Sequence, residues 1–290
     1  MTSIVVFGGS GFIGSHVSDK LSEAGHNVKI FDTKTSDWLR EDQQMIIGDI
    51  LDFDSIVDAV KSCDVVYNFA ALSDINESID HPIKTVDINI RGNINILEAC
   101  RDQNIKHYIY ASTVYVHSRE GSFYRCSKQA AESYIEEYNR VFGLNYSILR
   151  FGSLYGPRSD KNNAIYNILS KAIKSGKVEY VGSEDALREY IHVEDAALAS
   201  VKALDKDFLN TSVILTGQEP MKVTELLKMI AEILNINEQE VKLINKKQHG
   251  HYIRTPYSVG TDTGKKYTPS MHIDLGQGLM QMINQIKSSE

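Results

Sequence analysis

Short runs of β-branched and aromatic residues recur along the first half of the chain, separated by longer segments with helix-like spacing of apolar residues. These runs predict six strands, at Ile4–Phe7, Val28–Phe31, Met45–Ile47, Val65–Phe69, His107–Tyr110 and Tyr146–Leu149. The segments between them predict helices. Because parallel strands need long crossovers, which are usually helices, this order predicts an α/β fold with a doubly wound, mostly parallel sheet.

After Arg150 the pattern changes to shorter helical segments separated by Gly, Pro and Ser, as in FGSLYGPRSD and TGQEP. The change predicts two parts. We expect a Rossmann-like nucleotide-binding domain over residues 1–150 and a smaller α/β lobe that binds substrate over residues 151–290. A segment at about 186–212 is expected to return to the first domain.

Composition narrows the class of ligand. The chain has 290 residues, 42% of them hydrophobic, and a net charge of -7. An acidic chain of this kind does not favour a nucleic acid, whose phosphates require clustered Lys and Arg, so a small molecule is expected. The three cysteines lack the spacing of a zinc site, and no metal is predicted. No leader pattern or membrane-spanning run is visible, so we expect a cytoplasmic protein that does not bind membranes.

A glycine-rich turn, GGSGFIG, joins the first predicted strand to the first predicted helix. Its spacing Gly9-x-Gly11-x-x-Gly14, with a second register that begins at Gly8, matches the dinucleotide fingerprint. Asp32 ends the second predicted strand about 20 residues later, where a carboxylate can bind the ribose hydroxyls. Because this carboxylate would repel a 2′-phosphate, NAD is favoured, although the nearby Lys34 leaves NADP open.

A second pattern carries candidate chemistry. Lys128 follows Tyr124 by one helical turn in FYRCSK, and an ammonium near a phenol stabilises the phenolate and lowers its pKa. Upstream, the pair Ser112 and Thr113 comes just after the fifth predicted strand, at the edge of the sheet where ligands bind in open α/β folds. We therefore expect Tyr124 to act as a general base on a substrate held by a hydroxyl.

The fingerprint, the Ser/Thr pair and the Tyr/Lys helix, in this order, resemble the extended short-chain dehydrogenase/reductase superfamily, in particular its NAD-dependent nucleotide-sugar epimerase/dehydratase group. The resemblance spans nearly the whole chain. It includes GDI, NFAA, DINIRGNINILEAC, LRFGSLYGPR, REYIHVEDAA and a tail that begins with IRTPYSV.

The resemblance implies a role for each matching residue. Tyr124 matches the catalytic base, Lys128 matches the residue that binds the nicotinamide ribose and tunes that base, and Thr113 matches the catalytic hydroxyl, with Ser112 as the fallback. The implied substrate contacts are Ser112, Thr113, Ser153, Arg188 and Arg254. The implied cofactor contacts are Gly8, Gly11, Phe12, Ile13, Gly14, Asp32, Asp49, Ile50, Phe69, Ala70, Ala71, Asn89, Tyr124 and Lys128.

The implied reaction is epimerisation of a nucleotide sugar through a transient 4-keto sugar. A 4,6-dehydratase of this group carries Asp-Glu directly after the catalytic Thr, whereas Val114 and Tyr115 stand here, so that activity is less favoured. An NAD(P)-dependent nucleotide-keto-sugar reductase or dehydrogenase remains the alternative, and a non-catalytic NAD-binding regulator is a further one. The segment between Thr113 and Tyr124 is also shorter than in most relatives, which leaves the sugar open.

The resemblance also implies a homodimer. The helices at Pro82–Asp102 and Ser122–Phe142 match those that relatives pair into a four-helix interface, and their outer faces are moderately apolar.

Overall fold

The computed structural model describes residues 1–245, 250–256 and 264–288. Its strands are β1 (Ser3–Phe7), β2 (Asn27–Asp32), β3 (Gln43–Ile47), β4 (Val65–Asn68), β5 (His107–Thr113), β6 (Tyr146–Phe151), β7 (Ser153–Tyr155), β8 (Val178–Gly182), β9 (Leu187–Arg188), β10 (Tyr190–His192), β11 (Thr211–Leu215), β12 (Met221–Lys222), β13 (Val241–Asn245) and β14 (Lys265–Lys266). Its α-helices are α1 (Phe12–Glu23), α2 (Phe53–Val60), α3 (Ile75–Asp80), α4 (Pro82–Val86), α5 (Asn93–Asp102), α6 (Ser122–Phe142), α7 (Ala164–Ser175), α8 (Val193–Lys202), α9 (Val223–Leu234) and α10 (Leu275–Ser288). A π-helical turn over Asp87–Gly92 joins α4 to α5.

The main sheet has eight strands in the order β14-β11-β6-β5-β4-β1-β2-β3, and every neighbouring pair is parallel. The predicted α/β class with a doubly wound parallel sheet is confirmed. The chain order reverses between β1 and β4, and ligands in open α/β sheets bind at such a switch point, beyond the carboxyl ends of the strands.

Successive residues of one strand contribute to hydrophobic clusters on opposite faces of the sheet. Along β1, Val5 and Phe7 pack with α2, α5 and α6, whereas Ile4 and Val6 pack with α1 and α8. This alternation follows from the two-residue period of a strand. It also explains why β1 is apolar at every position from Ile4 to Phe7, since both faces of a parallel sheet are covered.

A third hydrophobic cluster holds α7, α9 and α10 together with β8. Two-stranded sheets accompany this cluster: β7 pairs with β10, β9 with β12, and β8 with β13. Meanwhile β11 joins the main sheet and α8 packs on it, within the same hydrophobic cluster as α1. The division at residue 150 stays a prediction, since the boundary is set by function as well as by packing.

Several strand bounds differ from the sequence prediction by one to three residues, and two of these differences lie at the cleft. β4 ends at Asn68, so Phe69 begins the loop, and β5 continues through Ser112 and Thr113 instead of stopping at Tyr110. The longer β5 arises because its last residues pair with Arg150 and Phe151 of β6, a tertiary contact that local propensity does not report. Among the described helices, none is both long and apolar enough to cross a membrane.

Candidate active site

The glycine-rich turn is shaped by close backbone contacts at the switch point. Gly8 has φ +75°, and a Cβ there would lie 2.6 Å from the Ala70 nitrogen, on the loop after β4. A Cβ on Gly14 would lie 2.1 Å from the Gly8 carbonyl oxygen. Only glycine fits at either position, and α1 can therefore begin immediately at Phe12 with its amino end towards the cleft.

This turn forms one wall of a cleft of about 840 Å³. The volume falls within the range typical of sites for small molecules and cofactors. All but one of the predicted cofactor residues line the cleft: Gly8, Gly11, Phe12, Ile13, Gly14, Asp32, Asp49, Ile50, Phe69, Ala70, Ala71, Tyr124 and Lys128. Residues at or just after the ends of β1, β2, β3 and β4 thus meet residues of α1 and α6 at one place.

Asp32 is held by the glycine-rich turn itself. Its Oδ2 accepts the backbone N–H of Ser10 at 3.0 Å, and the Ser10 hydroxyl donates to the Lys34 carbonyl at 2.8 Å. These bonds orient the carboxylate at the end of β2 with its remaining lone pairs available. The Asp49 carboxylate is likewise held in its turn, where it accepts the Leu51 N–H at 2.9 Å.

Asn89 was predicted to contact the cofactor, but within the described part of the chain it does not line this cleft. It lies in the π-helical turn, is 2% exposed, and its amide bonds the backbone N–H and C=O of Leu72 and the hydroxyl of Ser127. Those three bonds use its amide donors and an acceptor lone pair. Asn89 therefore fixes the loop after β4 against α6, and its prediction as a direct cofactor contact is not supported.

Tyr124 and Thr113 meet on the wall of the cleft. Thr113 is the last residue of β5 and Tyr124 lies in the first turn of α6. Both line the cleft, where the Thr113 hydroxyl interacts with the Tyr124 phenol. The Thr113 oxygen also accepts the Tyr115 N–H at 3.3 Å, which fixes its orientation. The two groups come from elements that are adjacent in space, as the expected base and substrate hydroxyl require.

Lys128 lies beneath this pair. It is 2% exposed, its Nζ donates to the Ala111 carbonyl at 2.7 Å, and the same atom lies 4.5 Å from the centre of the Tyr110 ring and 5.9 Å from that of Tyr124. The ammonium is thus positioned by a strand carbonyl and an aromatic face.

The protonation of this pair differs from our expectation. We predicted that Lys128 lowers the pKa of Tyr124, but burial raises that pKa to about 12, against the lowering effect of the Thr113 hydrogen bond. Burial also lowers the pKa of Lys128 to about 7, opposed by the charge of Glu132. Burial disfavours both the phenolate form of Tyr124 and the ammonium form of Lys128. Among the protein's own groups, this effect outweighs the attraction between the two charges.

Ser112 is committed to another partner. Its hydroxyl donates to the Glu132 carboxylate on α6, and that carboxylate forms a bidentate pair with Arg150 on β6. A hydroxyl used in this way is a poor substrate ligand, which favours Thr113 as the catalytic hydroxyl over the fallback.

The remaining predicted substrate residues surround Tyr252. The Ser153 hydroxyl lies 3.3 Å from the Tyr252 hydroxyl, and the Arg188 guanidinium lies 4.5 Å from the centre of the Tyr252 ring. Arg188 also donates to the carbonyls of Leu187 and Ile253. Arg254 is exposed in the same segment. Within the described residues, none of these three predicted side chains lines the 840 Å³ cleft. Residues 257–263 of the tail that begins with IRTPYSV lie outside the described residues.

Tyr115, His251 and Tyr252 are site neighbours that the sequence did not reveal. The Tyr115 ring lies 4.7 Å from that of Tyr252 and 6.4 Å from that of Tyr124, and its hydroxyl lies 3.1 Å from His251 Nδ1. The Gly250 carbonyl accepts the Gly121 N–H at 2.8 Å. No spacing signal joins residues 115 and 251. Glu132, by contrast, follows Lys128 by four positions, a signal that was available.

The residues at the cleft fit a dinucleotide. The Gly8 and Gly14 contacts leave backbone where side chains would otherwise fill the cleft, and Asp32 presents an oriented carboxylate at the far end. Glycines for close approach, a helix amino end for phosphates and a carboxylate for ribose are the donor set that such a group requires.

Comparison with known proteins agrees with this geometry. Residues 4–214 match the model of the NAD-dependent epimerase/dehydratase family. A Methanocaldococcus jannaschii protein named "Putative UDP-glucose 4-epimerase" is 29% identical over 99% of both chains. The UDP-glucose 4-epimerase of Thermotoga maritima, solved with UDP-glucose, is similar in fold at a TM-score of 0.85, 24% identity and 99% coverage of both chains. The UDP-glucuronic acid 4-epimerase of Bacillus cereus, solved with UDP-glucuronic acid and NAD, gives 0.86 at 22% identity, over 99% of this chain and 100% of that one.

The predicted family and its dependence on NAD are therefore confirmed, and so is the prediction of an enzyme. A match over most of the main sheet, together with a cleft built from the predicted fingerprint, shows that this chain belongs to the NAD-dependent epimerase/dehydratase family.

Proposed function

We propose that the chain is an NAD-dependent nucleotide-sugar 4-epimerase that acts through a transient 4-keto sugar. The observation that carries the proposal is that Thr113, Tyr124 and Lys128 line the same cleft, with the Lys128 Nζ 5.9 Å from the centre of the tyrosine ring. A phenol, an alcohol and an amine in this arrangement can hold a sugar hydroxyl and remove its proton.

The residues divide the work as follows. Thr113 holds the 4-hydroxyl of the sugar, and Tyr124 takes its proton when the C4–H bond breaks. The same phenol returns the proton when the ketone is reduced from its other face, which inverts C4. Lys128 favours the phenolate when it is protonated and binds the nicotinamide ribose. The chemistry that bound NAD would supply at this site is reversible hydride transfer with C4.

Three features support epimerisation over other reactions. Val114 and Tyr115 follow Thr113 where a dehydratase carries Asp-Glu, and neither side chain is a carboxylic acid. This argues against a 4,6-dehydratase. Tyr124 and Lys128 are both present, which argues against a non-catalytic regulator. The relatives described above are named as 4-epimerases, and the similarity to them does not favour the reductase alternative.

We propose a UDP sugar as the substrate, because the named relatives act on UDP sugars. Ser153, Arg188 and Arg254 are the residues we propose to contact its nucleotide part. We also keep the predictions of a homodimer and of a cytoplasmic location.

The test is incubation of the purified chain and NAD with a panel of nucleotide sugars, followed by NMR detection of a C4 epimer. Tyr124→Phe should lower turnover by about 10²- to 10⁴-fold, the usual contribution of a general base, while dinucleotide affinity is retained. Tyr134→Phe is the matched control, because Tyr134 lies on the same helix with its side chain exposed. Full activity of Tyr124→Phe would disprove the assigned base.

A second measurement separates the epimerase from the reductase. An epimerase reoxidises its own cofactor at each turnover, so we expect NAD to be released when the purified protein is denatured. Dependence on added NADH or NADPH, with a reduced sugar as the product, would favour the reductase instead.

A further inference from the structure

Consecutive residues at the end of β5 contact residues of α6 that are spaced four apart. The contacts are Thr113 with Tyr124, the Ala111 carbonyl with Lys128, and Ser112 with Glu132. Residues four apart lie on the same face of a helix, so this face of α6 is fixed against the strand end over more than two turns.

Glu132 is also bound from a third element. Arg150 on β6 donates from Nε to Oε1 at 3.1 Å and from Nη2 to Oε2 at 2.8 Å, and both side chains are only 9% exposed. A bidentate Arg–carboxylate pair fixes geometry as well as charge. One carboxylate therefore joins β5, β6 and α6 directly behind the Tyr124–Lys128 pair.

We propose that Glu132 is a positioning residue, which holds α6 in register on β5 and places a negative charge one helical turn from the Lys128 side chain. It touches neither cleft nor sugar in this role. Its effect on turnover rests on the proposed function, whereas its effect on Lys128 does not.

The electrostatic part follows from the spacing. Glu132 lies one helical turn from Lys128, and its negative charge opposes the effect of burial, which lowers the pKa of Lys128. Arg150 partly neutralises that charge. The other titratable groups within electrostatic reach of Glu132 are Tyr110, His117, Glu136 and Tyr146.

The first test is a ¹⁵N-lysine NMR titration of the whole chain without added ligand, with the Lys128 signal assigned by its loss in Lys128→Met. In Glu132→Gln the amine loses a nearby negative charge, and the Arg150 cation is no longer neutralised by this carboxylate. Both changes disfavour the ammonium, so the Lys128 midpoint should fall by about one unit, a tenfold change in the ammonium-to-amine ratio. An unchanged midpoint would overturn the proposal.

Two further variants separate the electrostatic effect of Glu132 on Lys128 from a general disturbance of the structure. Arg150→Met leaves the carboxylate unneutralised, so the Lys128 midpoint should rise, opposite in sign to Glu132→Gln. Glu132→Asp keeps the charge and should leave the midpoint near that of the wild type. Shifts of the same sign in Glu132→Gln and Arg150→Met would show a structural perturbation only, and either variant tests the idea if the other does not fold.

Turnover gives an independent measurement. Activity that needs the ammonium form of Lys128 is lost as the pH rises through the pKa of Lys128. In Glu132→Gln the alkaline limb of the plot of kcat against pH should therefore move to lower pH. A damaged fold would lower kcat at every pH without moving the limb. If the chain has no epimerase activity, the proposed function fails, while the NMR titration still decides the role of Glu132.

Discussion

Gly8 and Ala70 lie so close together that a Cβ on Gly8 would meet the Ala70 nitrogen at 2.6 Å. This contact brings the loop after β4 against the glycine-rich turn, and the cleft opens along their shared edge. The Ala70 nitrogen is a backbone atom and the position of a Cβ is fixed by its own backbone, so no rotamer change can relieve a clash there.

Gly8→Ala should therefore weaken NAD binding by about tenfold or more and destabilise the fold, because the backbone must move at the cleft wall. Gly25→Ala is the matched control. Gly25 also has positive φ, at +81°, but an added Cβ there meets nothing within 4 Å, so its cost should be about 1 kcal/mol, from backbone conformation alone. Calorimetric titration with NAD and urea unfolding measure the two effects. Wild-type NAD affinity in Gly8→Ala would contradict this account.

Asp32 should determine the choice between NAD and NADP. Its carboxylate is oriented by the Ser10 N–H, and a charged hydrogen bond to ribose contributes on the order of 1.5–3 kcal/mol. Asp32→Asn should weaken NAD binding by about tenfold and bring the affinities for NAD and NADP closer together. The exposed Asp37, on the segment after β2, provides Asp37→Asn as a control without effect. An unchanged ratio of the two affinities would refute the assignment.

Buried histidines should make the fold sensitive to acid. Burial lowers the pKa of His16 and of His107 to about 4, below the value of about 6.5 in an unfolded chain. The unfolded state then binds more protons, so this stability is present above about pH 6.5 and is lost as the pH falls towards about 4. Each residue contributes on the order of 3 kcal/mol once fully titrated.

His107 provides the cleaner variant, because its Nε2 lies 2.8 Å from the Ser147 hydroxyl and a glutamine amide can replace that bond. His107→Gln should lose less stability between pH 7 and pH 4.5 than the wild type does, as followed by urea unfolding at each pH. The exposed His81→Gln is the control. Parallel stability curves for the wild type and His107→Gln would show that His107 is not responsible.

A homodimer should form through the helices around α4 and α6. Val86 and Val141 are 51% and 53% exposed on these helices, which leaves apolar surface for a partner. Sedimentation velocity at micromolar concentration should show a dimer, and the double variant Val86→Glu, Val141→Glu should be monomeric. Met271→Glu, at a residue 83% exposed outside these helices, should leave the dimer intact. A monomeric wild-type chain would exclude the interface.

The sequence predicted most of the cleft because its key signals are local. The glycine spacing, Asp32 at the end of a strand, and the one-turn separation of Tyr124 and Lys128 each depend on a few neighbouring residues. Local secondary structure then places those residues at strand ends and on one helix face, and a parallel sheet brings the strand ends to one edge.

What the sequence did not predict depends on contacts between distant segments. Asn89 matches a family position, yet the π-helical turn directs its amide to Leu72 and Ser127, so that it supports the cleft from behind. The pKa of Tyr124 was misjudged for a similar reason, since a pairwise spacing shows the nearby ammonium but not the burial that outweighs it. Tyr252 reaches Arg188 only through the tertiary fold.

The connection between β5 and α6, residues 114–121, is not the sole support of the base and the hydroxyl. Thr113 and Tyr124 sit at its two ends, and the bonds of Ala111 and Ser112 to α6 keep those ends together from outside. The length of this loop can therefore diverge among enzymes without disturbing proton transfer. Exchanging it for longer loops is accordingly a route to new sugar preferences on an unaltered reaction core.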